Sequence, residues 1–315
     1  MITFVFAFAF FIGFFVSAAD GPIRFSEHRM PFKYTYAYGT IAADIDNDGD
    51  LDLTSQDVAG KPSLSTMAWY ENNGQAQFKR HVIAEKEPGW FERHAVGDIT
   101  GDGRPDIAVV NNRDGHVVWF ANKAKPADGL WKRGVITTKA PRAYDVVLAD
   151  LDGDGDQDAA SVGYASGLII WYENPGKGGW SKEWQLRHID NKLPEGRTIR
   201  VGDFNRDGKI DLMAAAVGAE KVPPEVTDVR DHGSRLVWYE NPGQQKSQKW
   251  KKHVIDNVSR AQIHGHPIDM DDDGDIDVVM ALGMRSALIP ESRHQVVWYE
   301  NLGQPGLGTK WKQHR

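Results

Sequence analysis

Five acidic nonapeptides carry most of the chemistry written into this chain. They read DIDNDGDLD at Asp44–Asp52, DITGDGRPD at Asp98–Asp106, DLDGDGDQD at Asp150–Asp158, DFNRDGKID at Asp203–Asp211 and DMDDDGDID at Asp269–Asp277. Oxygen-bearing side chains fall at positions 1, 3, 5 and 9, and Gly is always sixth. Calcium takes 6–8 oxygens at about 2.3–2.6 Å, and closely spaced carboxylates on a tight loop supply them. Positions 1, 3 and 5 are expected to face one centre, the carbonyl of position 7 to add an oxygen, and the Asp at 9 to close the shell. The candidate ligands are therefore Asp44, Asp46, Asp48, Asp50 and Asp52; Asp98, Thr100, Asp102, Arg104 and Asp106; Asp150, Asp152, Asp154, Asp156 and Asp158; Asp203, Asn205, Asp207, Lys209 and Asp211; and Asp269, Asp271, Asp273, Asp275 and Asp277. Thr100 and Asn205 are neutral, so the second and fourth sites are expected to be weaker. Gly at position 6 permits a sharp turn at positive φ. Magnesium fits less well, because it demands stricter geometry and keeps its waters. Nothing in the loops suggests an open coordination position, so the metal's expected role is structural.

A second group of residues has the chemistry of a binding pocket. Tyr36 and Tyr38, Arg93 and His94, Arg142 and Tyr144, Arg197 and Arg200, and His264 and His266 each stand upstream of an acidic loop, in or just before the strand that enters it. If those strands surround one axis, the side chains converge on a cationic aromatic basket. Arg forks suit carboxylate or sulfate, and Tyr suits a sugar face. Glu92 and Asp145 are the acids among them. Simple pairing between neighbouring strands would explain the same residues without a ligand.

The elements that position these residues follow from the spacing. The first Asp of each loop recurs at 44, 98, 150, 203 and 269, and periods near 50 indicate propellers or solenoids. Each repeat runs from a short apolar strand into the acidic loop and then into a second strand. A third strand ends in Trp69-Tyr70-Glu71-Asn72, Trp119-Phe120-Ala121-Asn122, Trp171-Tyr172-Glu173-Asn174, Trp238-Tyr239-Glu240-Asn241 or Trp298-Tyr299-Glu300-Asn301. A Gly/Pro-rich turn and a fourth strand follow. Four strands per repeat, with no convincing helical periodicity, describe an all-β fold, a β-propeller of four-stranded blades. Five equivalent aromatic pairs argue for packing between blades.

The motif DxDxDGxxD followed by an apolar strand resembles the FG-GAP/VCBS repeat family, the calcium-binding propeller repeats also seen in integrin α-subunits. The resemblance covers about residues 25–315. It implies the propeller fold and bound Ca2+, up to five ions. It says little about function, since the family includes adhesion modules, lectins and propeller domains of sugar-processing enzymes. Six or seven blades would be usual. Phe25–Met30 looks like a donated fourth strand, yet the chain stops at Trp311–Arg315 inside a fourth strand of its own. The preferred expectation is that one or two C-terminal blades are missing; five blades closing with a redundant N-terminal strand is the alternative.

Composition bounds the rest. The net charge is −7 and there is no cysteine, which argues against nucleic-acid binding and excludes disulfides and thiol chemistry. Ile2–Val16 is almost wholly apolar, and Ser17-Ala18-Ala19 follows. The run is shorter than the roughly 20 residues of a span, so residues 1–19 read as a secretory signal and 20–315 as the propeller, with no membrane span after cleavage. Loop-to-Trp spacing is 21 residues in the second and third repeats but 25, 35 and 29 in the others. The surplus at Glu220–Gly233 and Arg285–His294 is expected to project from the face away from the acid. Three functions fit: a secreted calcium-stabilised module binding carbohydrate or acidic glycan; a lyase or dehydratase acting on anionic sugars, with His94, His264, His266, Tyr144 or Arg200 in catalysis; and an integrin-like surface for a protein partner. No catalytic motif decides between them, though binding is favoured.

Overall fold

The computed structural model describes residues 27, 29–60, 63–180, 182–218, 233–243, 249–259, 261–283, 294–302 and 307–315. Of the stretch before residue 33, only 27 and 29–32 are described, and there Arg29 pairs with Glu27 at 2.6 Å. The apolar run Ile2–Val16 lies outside the described residues, as do the interiors of the two surplus loops. Of the expected strand Phe25–Met30, the described Glu27, Arg29 and Met30 carry no strand.

Residues 33–315 build five four-stranded antiparallel sheets, each a simple meander. The first contains β1 (Ala37–Ala43), β2 (Asp52–Ala59), β3 (Leu64–Asn72) and β4 (Phe78–Pro88). The second contains β5 (Phe91–Gly97), β6 (Asp106–Asn111), β7 (His116–Ala121) and β8 (Lys132–Thr137). The third contains β9 (Ala143–Ala149), β10 (Asp158–Gly163), β11 (Ile169–Glu173) and β12 (Gln185–Asp190). The fourth contains β13 (Gly196–Gly202), β14 (Asp211–Ala216), β15 (Arg235–Glu240) and β16 (Lys251–Asp256). The fifth contains β17 (Gln262–Ile268), β18 (Asp277–Leu282), β19 (Gln295–Asn301) and β20 (Trp311–His314). These are blades of a β-propeller: the first strands β1, β5, β9, β13 and β17 lie side by side in chain order.

Blade packing explains the composition of the strands. β6, β10 and β14 are buried along their whole length. They are covered on both faces, so they read as apolar and small-residue runs (DIAVVN, DAASVG, DLMAAA) rather than as a polar–apolar alternation. Four apolar clusters fill the gaps between consecutive blades. Between the fourth and fifth blades, Trp238, Leu236, Met213 and Ala215 lie against Val278, Met280, Val297 and Tyr299. One face of each blade thus offers the Trp of the aromatic motif and the next blade answers with the Tyr or Phe face.

The acidic loops take part in this packing through residues that are not acidic. At position 2, Ile45, Ile99, Leu151 and Phe204 are buried. The Asn that closes each aromatic motif reaches back to that position in the preceding blade. Asn122 Nδ2 donates to the Ile45 carbonyl at 2.8 Å, Asn174 to Ile99 at 3.1 Å, Asn241 to Leu151 at 2.7 Å and Asn301 to Phe204 at 3.1 Å. On the fifth blade the corresponding Met270 is 53% exposed, and no apolar cluster of described residues joins that blade to the first.

Candidate functional site

The acidic loops all join a first strand to a second strand, as the repeat predicts. The sixth-position glycines Gly49, Gly103, Gly155, Gly208 and Gly274 have φ between +82° and +97°, the left-handed region that Gly tolerates best. The main-chain N–H of position 6 donates to the carboxylate of position 1 in every loop, at 2.7–3.0 Å. Position 4 also lies at positive φ, in Asn47, Gly101, Gly153, Arg206 and Asp272. The sequence alone did not disclose that second kink.

The geometry sorts the expected ligands into three roles. In the first, third and fifth loops, carboxylate oxygens of positions 1, 3 and 5 gather within 4.8 Å of one another: Asp44, Asp46 and Asp48; Asp150, Asp152 and Asp154; Asp269, Asp271 and Asp273. In the second and fourth loops, position 7 brings a cation instead. Arg104 pairs with Asp102, and Lys209 Nζ lies 2.6 Å from Asp207. The Asp at position 9 is buried, and both its oxygens accept main-chain N–H groups. One oxygen takes the N–H of the aromatic-motif Asn, at 2.7 Å for Asp52, Asp106, Asp158 and Asp211 and 2.8 Å for Asp277. The other faces the start of its own loop, from Ile45 to Asp52 at 3.0 Å for example. Burial pushes Asp52 and Asp106 up to about 6, and Asp158 and Asp211 up to about 7. Asp156 at position 7 is raised to about 6 by burial and by Asp154 and Asp152 beside it. The clustered carboxylates repel one another, and a divalent cation is the charge that would relieve them.

At the far end of the first strands, the expected basket separates into two layers. The outer layer is a ladder of guanidinium groups and aromatic rings. Arg142 Cζ lies 5.1 Å from the Tyr164 ring centre; Arg197 lies 4.1 Å from Tyr164 and 4.8 Å from Tyr144; Arg93 lies 5.9 Å from Tyr144 and 5.4 Å from Tyr38. Tyr36 stacks on Tyr38 at 5.5 Å and meets Trp90 at 5.1 Å. The Tyr38 and Tyr144 hydroxyls are hydrogen-bonded, and burial together with Tyr38 raises the Tyr144 pKa. Arg142, just before β9, holds φ at +57°. A non-glycine residue in that region is uncommon, and such residues cluster at functional sites. Tyr164 and Trp90 belong to this layer and were missed as candidates. Trp90 directly precedes β5, and Tyr164 lies in the β10–β11 loop on the same face, so topology could have found both.

The inner layer lines a channel cavity of about 370 Å³ with Gly39, Arg93, His94, Asp145, Arg200 and His266. Arg200 Nη1 pairs with Asp145 at 2.7 Å. Arg93 Nη2 lies 2.7 Å from His264 Nε2, and His94 Nε2 lies 2.8 Å from Thr54 Oγ1. The histidines are not the cations that the sequence suggested. Burial and the nearby Arg93 hold His94 down to about 3 and His264 down to about 4, while burial and Arg200 lower His266. Arg197 also has an acid of its own, Glu195 at 3.2 Å. Four arginines against Glu92, Asp145 and Glu195 leave one net positive charge, smaller than expected but of the expected sign.

Comparison with known proteins identifies repeats within the chain and leaves the activity open. The FG-GAP-like repeat model matches residues 98–161 and 150–214. No curated protein sequence matches the chain. Among solved structures, the V. cholerae biofilm matrix protein Bap1 is 17% identical with a TM-score of 0.39; the match covers 72% of this chain and 30% of Bap1. The catalytic domain of Coprinopsis cinerea GH62 α-L-arabinofuranosidase is 12% identical with a TM-score of 0.47, covering 89% of this chain and 90% of that one. Pseudomonas aeruginosa periplasmic gluconolactonase is 13% identical with a TM-score of 0.37, covering 83% and 82%. The chain thus spans about 30% of the length of Bap1. No helix among the described residues is long and apolar enough to cross a membrane. The matched segments show FG-GAP-like repeats over residues 98–214, the stretch that carries the second, third and fourth acidic loops.

Proposed function

We propose that this is a secreted, calcium-stabilised propeller that binds an acidic glycan at the mouth of its channel. The observation that carries the reading is the Arg142–Tyr164–Arg197–Tyr144–Arg93–Tyr38 ladder. Its rings offer apolar faces to sugar C–H groups, and its guanidinium edges offer paired donors to carboxylate or sulfate. The rings hold the guanidinium groups in place before a ligand arrives, which lowers the ordering cost of binding. Extracellular calcium would occupy the clustered carboxylates of positions 1, 3 and 5, with Asp at 9 tying the loop to the third strand. Loops two and four would bind more weakly, because Arg104 and Lys209 already neutralise position 5.

The eliminating-enzyme reading has less support from the geometry. A base must keep a free lone pair near substrate, and the His264 and His94 rings are engaged by Arg93 and Thr54. The test is retention on immobilised hyaluronate and on neutral dextran in millimolar calcium, with absorbance followed for new conjugated C=C bonds. Retention on hyaluronate alone, lost in Arg197→Gln and Tyr144→Ala, with flat absorbance, supports the binder. Rising absorbance would make the protein a lyase, and absence of retention would overturn the glycan reading.

A further inference from the structure

One blade departs from its siblings at a place remote from the channel. In four blades the Trp of the aromatic motif is covered by a planar His or Arg side chain from the paired position on the fourth strand. His81 stacks on Trp69 with ring centres 4.7 Å apart, His253 on Trp238 at 4.2 Å and His314 on Trp298 at 4.3 Å, while Arg187 lies 5.3 Å from the Trp171 ring centre. A motif Glu holds each of these groups: Glu71 to His81 at 2.7 Å, Glu173 to Arg187 at 2.6 Å, Glu240 to His253 at 2.8 Å and Glu300 to His314 at 2.6 Å. In the second blade the residue paired with Trp119 is Gly134, and the Glu position is Ala121. The planar nitrogen group and the carboxylate are both gone, so the change removes the triad as a unit.

The space left behind is a cavity. It measures about 620 Å³, within the roughly 300–1,000 Å³ range of small-molecule sites. Trp119, Ala121, Lys132, Gly134, Gly178 and Trp180 line it, with Arg133 at its rim. A Cβ at residue 134 would come within 2.1 Å of Trp119 Nε1, so the glycine is what allows the indole to lie where it does. The Nε1 atoms of Trp119 and Trp180 have no hydrogen-bond partner among the described residues. Both nitrogens are shielded from solvent, as are other unpaired indole nitrogens in the chain, so the remainder of each ring is what can line the cavity. Arg133 is paired with Glu87 at 3.0 Å. Lys132 is exposed, with no ion-pair partner among the described residues, so the rim is net positive.

We infer that this cavity between the second and third blades is a second ligand site, taking an acidic sugar ring of the hexuronate type. The half-buried Trp180 ring supplies an apolar platform for one face of the sugar. Lys132 calls for an anion. A guanidinium, as Arg187 supplies in the third blade, is disfavoured here by Lys132 and Arg133 and by the loss of the Glu.

The experiment uses the full chain in calcium, with sodium glucuronate as probe and glucose as its uncharged counterpart, read by tryptophan fluorescence and calorimetry. Glucuronate is expected to bind in the millimolar range and at least tenfold more tightly than glucose. Trp180→Ala should weaken it at least tenfold, and Lys132→Gln should erase the preference for the acid. The double change Ala121→Glu with Gly134→His should rebuild the sibling triad and abolish binding; if that variant fails to fold, the two single variants decide. The same titrations in an Arg197→Gln background, which removes any uptake of the acidic sugar at the channel mouth, isolate this site and separate it from the glycan reading above. No signal with glucuronate, equal affinity for glucose, or unchanged affinity in Trp180→Ala would overturn the assignment.

Discussion

The two ends of the first strands obey different rules. At one end, five loops repeat a single design: a carboxylate at position 1 capping a glycine turn, and a buried Asp at position 9 tied to an Asn main chain. At the other end no two blades contribute the same residues: tyrosines come from the first, Arg93 from the second, Arg142 and Tyr144 from the third and Arg197 from the fourth. Repetition is what a fold needs from every blade; divergence is what one asymmetric ligand needs from the ring as a whole. On the proposed reading, the acidic end carries stability and the basic aromatic end carries recognition. The second blade breaks its own repeat at Ala121 and Gly134, and by the same reasoning recognition is sought there too.

The largest expected effect is removal of calcium. Sites with Kd of about 10⁻⁴–10⁻³ M each contribute roughly 0.4–1.4 kcal/mol at about 1 mM ion, so five contribute roughly 2–7 kcal/mol. A chelator should lower the calorimetric melting temperature by about 5 °C or more; an unchanged melting curve would remove the structural role. Next come the contacts between blades. Trp238→Ala opens the packed seam between the fourth and fifth blades and should cost about 3–5 kcal/mol. Trp298→Ala, on the fifth blade's open face, should cost less than half as much in denaturant titrations. Asn241→Ala removes donors from two carbonyls, Leu151 and Ile210, and should cost about 1–3 kcal/mol.

Smaller effects sharpen the contrast within the acidic end. Lys209→Asp removes the fourth loop's internal counter-ion and should tighten calcium there, seen as a larger calcium-induced rise in melting temperature; a smaller rise would show that position 7 does not govern the site. The channel predicts a pH dependence. His94 has a folded pKa near 3, below its ordinary value near 6.5, so the unfolded chain binds the extra proton first. Its contribution is therefore complete above about pH 6.5 and is lost as pH falls toward 3, by up to about 1.4 kcal/mol per pH unit. The imidazole resonances of His94 should stay those of a neutral ring at pH 5.

Much of the fold was legible because the repeat recurs within short windows. Acidic loop, aromatic pair and Gly turn sit within a few tens of residues, and the positive φ at the sixth position follows from residue type alone. The clips from Asn122, Asn174, Asn241 and Asn301 were not legible. Each joins residues 75–97 apart, and Asn in a turn already has a local explanation. The double duty of Asp at position 9 was hidden for the same reason, since a carboxylate in a metal motif invites only one reading. At the mouth, residue type grouped arginines with tyrosines, as the structure does, but gave too much charge. Burial, which no residue reveals about itself, turns His94 and His264 neutral and places Asp145 on Arg200. Ala121 and Gly134 were visible as letters, but their pairing across β7 and β8 needed the register.

The most direct measurement sets the two ends against each other. Asp154→Ala and Arg197→Gln would each be melted in calcium and in chelator, and each passed over immobilised hyaluronate in calcium. The account predicts a double dissociation: Asp154→Ala loses part of the calcium-dependent stability and keeps its retention, while Arg197→Gln keeps the calcium response and loses retention. Loss of both properties in either variant, or of neither in both, would contradict the division between a structural end and a binding end.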